Sequence, residues 1–389
     1  MREAFIVTAK RTPIGGFLGA LSSFSATELG AIAIGEAYST ARIEATEIDA
    51  VYFGNVLSAN LGQAPARQAA KSAGIPNEVD STTINKVCSS GLKAVSIGAQ
   101  QIQLGLEDVI IAGGMESMSN APHYVNLRKT TKLGHHEFTD GLLKDGLTDV
   151  YTNFHMGRAA ELCADKYKLT RERQDDFALA SYERAATAFK RGKFKNEVVP
   201  IKLKVKNNEA LLEDEDISKV IPEKVSKLKP VFLDSGTITA ANASNLNDGA
   251  AALLLASKQA LEKYGLKPIA RIISYADASQ APEWFTTSPS IAILKALQQA
   301  KLTINDVDYF EINEAYAAVA ITNQQILNIN TKNTNVYGGA VAMGHPLGAS
   351  GARILCTLTS ILTQEGGKYG VAAICNGGGG ATAMVIEKI

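Results

Sequence analysis

The sequence predicts an α/β protein made of two similar halves, with a lobe of different texture inserted between them. Three observations carry that prediction. The N-terminal stretch alternates short β-branched runs with helical periodicity, the signature of a mostly parallel sheet covered by helices. Beyond Met115 the texture changes to glycine-rich turns, isolated charges and a charge-crowded segment at 207–229. Regular alternation resumes near Ala241, and the second half echoes the first. Val87-Cys88-Ser89-Ser90-Gly91, a helix and Ile110-Ile111-Ala112-Gly113-Gly114 are matched by Gly344-His345-Pro346-Leu347-Gly348, a helix and Ala373-Ile374-Cys375-Asn376-Gly377. A chain of 389 residues also exceeds the roughly 250 to 300 residues at which a single core stops growing, so at least two packed units are expected.

The elements follow in order. Residues 5–9 read as a strand. Ser25 and Glu28 form a capping box ahead of Leu29, Ile32, Ala33 and Ile34, so a helix is expected to about residue 42. Residues 51–53 return as strand, 64–73 as a helix stopped by Gly74 and Pro76, and 82–87 as strand. Residues 92–104 are helical by period and 109–112 form a buried strand, which puts Cys88 where a strand hands over to a helix. In the lobe, helices are expected at about 157–168 and 171–191. The acidic run Glu213-Asp214-Glu215-Asp216 reads as a solvated face and His135-His136 as a surface loop. Ser288-Pro289 starts a helix, with proline in its first turn.

Bulk properties exclude several classes. A hydrophobic fraction of 46% and a charged fraction of 20% are those of an ordinary folded protein, and no apolar stretch approaches the ~20 residues that span a bilayer. No membrane association is expected. Phe5-Ile6-Val7-Thr8 lacks the pattern of a signal peptide, which argues for a cytoplasmic protein. With 39 basic and 39 acidic residues the chain has no long-range field for nucleic acid, so that partner is not expected either. Cysteines 88, 163, 356 and 375 form no C-x-x-C pair, which fits a reducing compartment. They also lack the short ligand spacing of structural metal sites, so no metal is expected.

The chemistry concentrates in glycine-rich turns. The run Gly338 to Gly351 surrounds His345 with glycines and small apolar residues, where backbone can close around a reacting group. Cys88 precedes a helix start, and a helix N-terminus with a nearby imidazole lowers a thiol pKa from about 8.5 into a range of roughly 3.5 to 7.5. His345 is the candidate for that imidazole. Cys375 precedes Gly377-Gly378-Gly379-Gly380, whose N–H groups can aim at an oxygen that becomes negative. Two thiols divide labour naturally, one carrying an acyl group while the other moves a proton. Cys163, beside Ala160 and Ala164, and Cys356, in Ile354-Leu355-Cys356, read as small buried apolar residues.

The chain resembles the thiolase family over essentially its whole length, and most closely the acetyl-CoA acetyltransferase branch. Six motifs carry the resemblance in family order: Arg11-Thr12-Pro13-Ile14-Gly15, residues 85–94 around Cys88, residues 241–250, Asn313-Glu314-Ala315, residues 338–351, and residues 375–380. The resemblance implies thiolase-like duplicated βαβαβαββ halves packed as layered α/β/α/β/α. It places the N-terminal half at 1–117, with about 250–268 returning to it, an inserted coenzyme-A-binding loop lobe at 118–249, and the C-terminal half at 269–389. It further implies that Cys88 becomes acetylated, that His345 activates it and that Cys375 acts as acid and base at the second substrate. Asn313 would hold a water that, with His345, stabilises one thioester oxygen. Backbone N–H groups of Cys88 and Gly377 would form the other oxyanion hole. Leu147, His155, Met156, Ser244 and Ala315 would contact substrate or coenzyme A, although His155 also reads as a simple helix-entry residue before Gly157.

Two departures stand out. Ser89 replaces a usual glycine or alanine and Tyr316 a usual phenylalanine, each adding a hydroxyl near the site and bearing on substrate fit. The region around Cys375-Asn376-Gly377 also resembles the potassium-responsive branch, but Ile217 stands where that branch has its cation-contacting tyrosine, so no bound metal is expected. The resemblance implies a reversible Claisen condensation of two acetyl-CoA to acetoacetyl-CoA and CoA. Coenzyme A would be a substrate and product with no cofactor, and the assembly a homotetramer built from dimers. Phe154-His155-Met156 and Pro282-Glu283-Trp284-Phe285 favour short chains over a broader 3-ketoacyl-CoA thiolase. A decarboxylating ketoacyl synthase would pair its cysteine with two histidines or His and Asn. A non-catalytic thiolase-like lipid-binding protein would lack the reactive residues, and a cysteine protease has no use for the second thiol.

Overall fold

The computed structural model describes residues 2–128, 133–204 and 209–389, so residues 207 and 208 of the charge-crowded segment lie outside the described residues. The N-terminal half runs β1 (Ala4–Arg11), α1 (Ala26–Ala41), β2 (Ala50–Gly54), α2 (Pro65–Ser72), β3 (Asp80–Ile84), α3 (Ser90–Leu104) and β4 (Val109–Ser117). The intervening segment carries α4 (Met156–Lys166) and α5 (Arg171–Lys190). The chain then continues through β5 (Asn247–Ser257), α6 (Lys258–Tyr264), β6 (Ala270–Ser279), α7 (Ser288–Ala300), β7 (Tyr309–Ile312), α8 (Ala317–Leu327), α9 (Leu347–Glu365), β8 (Tyr369–Asn376) and β9 (Gly380–Lys388).

The predicted capping box at Ser25 and Glu28 is present and starts α1. Two expectations shift. The strand placed at 82–87 stops at Ile84, so Asn85, Lys86 and Val87 belong to the turn that delivers Cys88. No strand precedes His345, which follows a single helical turn at Ala340–Met343.

The two halves have one topology. The first orders its strands β3-β2-β4-β5-β1, and the second β7-β8-β9-β6. β2 is parallel to β3 and β4, and β5 is antiparallel to β4 and β1. β7 is parallel to β8, while β9 is antiparallel to β8 and β6. The counterpart of β3 has shrunk to a parallel bridge between Phe310 and Thr334. β1 and β6 join the halves edge to edge through Ala4–Ile272, Phe5–Arg271 and Ile6–Ala270.

Side-chain alternation explains the layers. Along β5, Leu253 and Leu255 point into one core and Leu254 and Ala256 into another, as a strand covered on both faces requires. Leu29 and Ile34 of α1 and Ala66 and Ala69 of α2 pack on Val51, Phe53 and Ile111. Ile293 and Leu297 of α7 and Leu327 of α8 pack on Phe310, Val371 and Val385. Between the two sheets, Leu92 and Val95 of α3 meet Ile354 and Leu358 of α9, flanked by Ile110 and Leu253 from one half and Ile374 and Met384 from the other. The result is the five-layered α/β/α/β/α arrangement of a mixed sheet with helices.

At the N-terminal ends of α3 and α9 the backbones touch. A Cβ on Gly54 would sit 2.7 Å from the Gly91 nitrogen and 2.8 Å from the Gly348 carbonyl oxygen, and one on Gly91 would lie 2.9 Å from the Ala352 nitrogen. A side chain on Gly114 would overlap the Gly348 carbonyl.

The acidic run is not a solvated face. Only Glu213 is exposed. Asp214 is buried and grips Arg11 with two bonds, of 2.6 and 3.0 Å, while the Arg11 Nε reaches Glu197 at 2.7 Å. Glu197 in turn accepts from Thr357 and Ser360 of α9 at 3.1 and 2.6 Å. Glu215 accepts the Gly16 and Ala20 N–H groups, each at 2.9 Å. Asp216 is also buried and accepts from Asn247 at 2.7 Å. Asp214 looks solvated only while Arg11, some two hundred positions away, is left out. His135 and His136 are exposed, in line with a surface loop. Asp214→Ala is expected to cost about 3 to 5 kcal/mol by leaving a buried guanidinium short of a partner. Urea unfolding measures it, and a loss below about 1 kcal/mol would show that the pair does not pin the lobe.

Candidate active site

Cys88 occupies a strained turn. The preceding Val87 has φ of 47°, a left-handed conformation that a β-branched residue adopts only when its surroundings impose it. The imposing contacts are local. The Val87 N–H donates to Asn85 Oδ1 at 2.9 Å, Ser90 Oγ donates to the Val87 carbonyl at 2.5 Å, and the Lys86 N–H donates to Ser90 Oγ at 2.8 Å. The sulfur so presented faces the backbone N–H groups of Gly377 and of Cys88 itself.

His345 sits opposite, at the entrance to α9. Gly344 has φ of 105° and packs against the Asn247 amide, and the His345 N–H donates to Asn247 Oδ1 at 2.8 Å. The ring Nδ1 lies 2.6 Å from Ser350 Oγ, and the buried Nε2 has no partner among the described residues.

Cys88, His345 and Gly377 line one cavity of about 410 Å³, and so do Leu147, His155, Met156, Ser244 and Ala315. Cys375 and Asn313 are not among the residues that line it. Cys375, on β8, is fully buried in a cluster with Met156, Ala243, Ala315 and Tyr316. Asn313 follows β7, donates its N–H to the Ala373 carbonyl at 2.9 Å, and leaves both ends of its buried amide without a protein partner. Such an amide has the donor and acceptor to hold an ordered water.

Burial sets the electrostatics. Cys88 is only partly covered, because it faces the cavity, but its apolar surroundings desolvate the thiolate and push the thiol to about 12 against the help of the two N–H groups. Cys375 is likewise held well above an ordinary thiol, by burial and then by the nearby Cys88 charge, so the two sulfurs feel each other. Burial, with Arg353 adding a smaller push, lowers His345 to about 3. The expected depression of the Cys88 pKa is therefore corrected: burial favours the neutral form of both thiols and of the imidazole.

Several residues do more than their motif suggested. His155 caps α4, its Nδ1 accepting the Gly157 N–H at 3.0 Å, and also stacks on Phe232 at 4.7 Å as part of the cavity wall. The Ser244 hydroxyl is engaged by the Ala315 carbonyl at 2.9 Å. Tyr316 lines the cavity edge-on to Phe232. Ser89, by contrast, does not reach the cavity. Its hydroxyl meets the Ile374 carbonyl at 3.1 Å and Asn376 Oδ1 at 2.8 Å, tying the Cys88 turn to the Cys375 strand.

Sequence reasoning missed the supporting polar groups. Glu116 takes N–H bonds from Val56, Leu57 and Gly348 at 3.1, 3.1 and 2.9 Å, plus the Asn55 amide at 2.9 Å, and burial pushes it up to about 7. Asn247 and Ser350 both lay inside quoted motifs, and their polar side chains among glycine and alanine were the available signal. Among the described residues, no group of three or more His, Cys, Asp or Glu side chains is placed to hold a metal, and no helix is long and apolar enough to cross a membrane.

A thiol, a neutral imidazole and two N–H groups around one cavity, with a second thiol behind, define a site for covalent acyl transfer. Residues 4–259 match the thiolase N-terminal domain and residues 266–388 the thiolase C-terminal domain. The chain belongs to the thiolase family. It is 54% identical to acetyl-CoA acetyltransferase 2 of Arabidopsis thaliana, covering 100% of this chain and 98% of that protein. It is 51% identical to an acetyl-CoA acetyltransferase of Schizosaccharomyces pombe, covering 100% and 99%. The solved structure of the Acat5 thiolase from Ascaris suum in complex with coenzyme A superposes with a TM-score of 0.96 at 45% identity, covering all of both chains.

Alkylation of Cys88 by iodoacetamide, read by mass spectrometry of its peptide, is expected to climb about tenfold per unit between pH 7 and 9, since the raised pKa leaves thiolate scarce throughout. A plateau already reached below pH 7 would mean a preformed thiolate–imidazolium pair.

Proposed function

We propose that this chain is an acetyl-CoA C-acetyltransferase that interconverts two acetyl-CoA with acetoacetyl-CoA and CoA through an acetyl-Cys88 intermediate. One observation carries the reading: Cys88, His345 and the Gly377 N–H converge on a single cavity with the Cys375 thiol packed against its wall.

Proton movements balance in this geometry. The Cys88 sulfur attacks the acetyl carbonyl while its proton passes to the bare Nε2 of His345. The departing CoA sulfur takes the Cys375 proton, which leaves an imidazolium and a thiolate that offset each other in the buried site. The Cys375 thiolate then removes a proton from the methyl group of the second acetyl-CoA. The resulting enolate oxygen is held by the His345 Nε2–H and a water on Asn313. The enolate carbon attacks the acetyl-Cys88 carbonyl, whose developing negative oxygen points at the N–H groups of Cys88 and Gly377. Cys88 leaves as thiolate and recovers its proton from His345.

Leu147, His155, Met156, Ser244 and Ala315 are assigned to the coenzyme arm, and the lobe at 118–249, between halves at 1–117 and 269–389, to its binding surface. The reading needs coenzyme A as substrate and product and no cofactor, nucleic acid or membrane. Tyr316, Phe232 and Phe285 narrow the cavity, which favours the short acyl chain over a broad 3-ketoacyl-CoA range. A cytoplasmic enzyme fits the four free cysteines and the cytosolic relative from Gibberella zeae. A homotetramer of dimers follows the family tendency.

Incubation with acetyl-CoA should add one acetyl group to the peptide containing Cys88. Cys375→Ser should keep that adduct and lose condensation, whereas Cys88→Ala should lower acetoacetyl-CoA thiolysis by at least about 1,000-fold. Parental turnover in Cys88→Ala, or faster thiolysis of long 3-ketoacyl-CoA than of acetoacetyl-CoA, would overturn the assignment.

A further inference from the structure

We propose that Ser350 is the positioning residue that fixes His345 in the Nδ1–H form, leaving Nε2 bare toward the Cys88 sulfur. The proposal rests on the acyl-transfer reading above for its kinetic consequence, but its structural part stands independently.

Three observations carry it. Ser350 Oγ lies 2.6 Å from His345 Nδ1 and 2.8 Å from the Pro346 carbonyl oxygen. The hydroxyl has one hydrogen and the carbonyl can only accept, so a hydroxyl that donates to Pro346 is left to accept from Nδ1–H. The opposite tautomer would place an N–H at Nε2, where the protein supplies no acceptor. A bare Nε2 is instead the lone pair that the first proton transfer needs.

The frame around this pair is tight. Ser350 is fully buried in the first turns of α9, and the Pro346 carbonyl also accepts the Ser350 N–H at 2.9 Å, so the hydroxyl and its acceptor belong to one turn of helix. The His345 backbone is fixed by its N–H donating to Asn247, and the contact of the ring itself is the one between Nδ1 and Ser350. Once His345 is protonated, the same oxygen receives the Nδ1–H while Nε2–H turns to the substrate. One acceptor thus serves both protonation states.

The test uses the whole chain with 15N-labelled histidine, of which there are 5, His345 being assigned by its loss in His345→Ala. Nitrogen shifts in the parent should report Nδ1–H. In Ser350→Ala and the near-isosteric Ser350→Cys, whose thiol is a poor acceptor, the Nε2–H form should become populated. Acetoacetyl-CoA thiolysis in these variants should lose about 10- to 100-fold in kcat with KM little changed, and Ser350→Thr, which retains the hydroxyl, should recover most of it. An Nε2–H tautomer in the parent overturns the proposal even if both variants misfold, and so does unchanged kcat in folded Ser350→Ala. Failure to form acetyl-Cys88 in the parent would instead defeat the acyl-transfer reading, with the tautomer result still deciding the role of Ser350.

Discussion

Backbone contact between the N-terminal ends of the two central helices is the constraint on which the site depends. Gly54, Gly91, Gly114 and Gly348 meet where any side chain would separate the halves. Because they are bare, the turn carrying Cys88 and the turn carrying His345 start their helices side by side instead of a side chain's width apart. The cost of so much glycine in the unfolded chain is offset by the apolar layers on either side, where α3 and α9 share a core with strands from both halves. Glu116 completes the junction by accepting N–H groups from both sides of it, Leu57 from the first half and Gly348 from the second.

Burial at the same junction bears on the charge state. In an exposed turn a helix N-terminus and an imidazole would produce a thiolate. Here desolvation exceeds the pull of the Gly377 and Cys88 N–H groups and raises Cys88 to about 12, and it lowers His345 to about 3. A neutral resting state carries no uncompensated buried charge.

Much of this was legible in the sequence where the signal is local. The capping box at Ser25, the proline start at Pro289 and the repeated glycine turns each specify backbone through residues a few positions apart, and each appears where expected. What was illegible depends on distant partners. Asp214 looked solvated until Arg11 came beside it, and the Ser89 hydroxyl, read as bearing on substrate fit, instead meets Asn376. The strand predicted through Val87 failed for a related reason, since β propensity gives no warning that Asn85 and Ser90 will bend that residue to positive φ. The Cys88 pKa was misjudged because position at a helix start is visible in a sequence and degree of burial is not.

The inserted segment contributes more than part of the cavity wall. Asp216 accepts from the Asn247 amide at 2.7 Å, and Asn247 accepts the His345 N–H at 2.8 Å, so a carboxylate of the inserted segment is two hydrogen bonds from the His345 backbone. Asp214, two residues away, holds Arg11, which bonds Glu197 and through it Ser360 of the helix that His345 introduces. Displacement of the lobe would therefore pull on the imidazole's backbone from one side and on its helix from the other. Cavity wall and the His345 turn share one polar frame, which ties the inserted segment to the halves it interrupts.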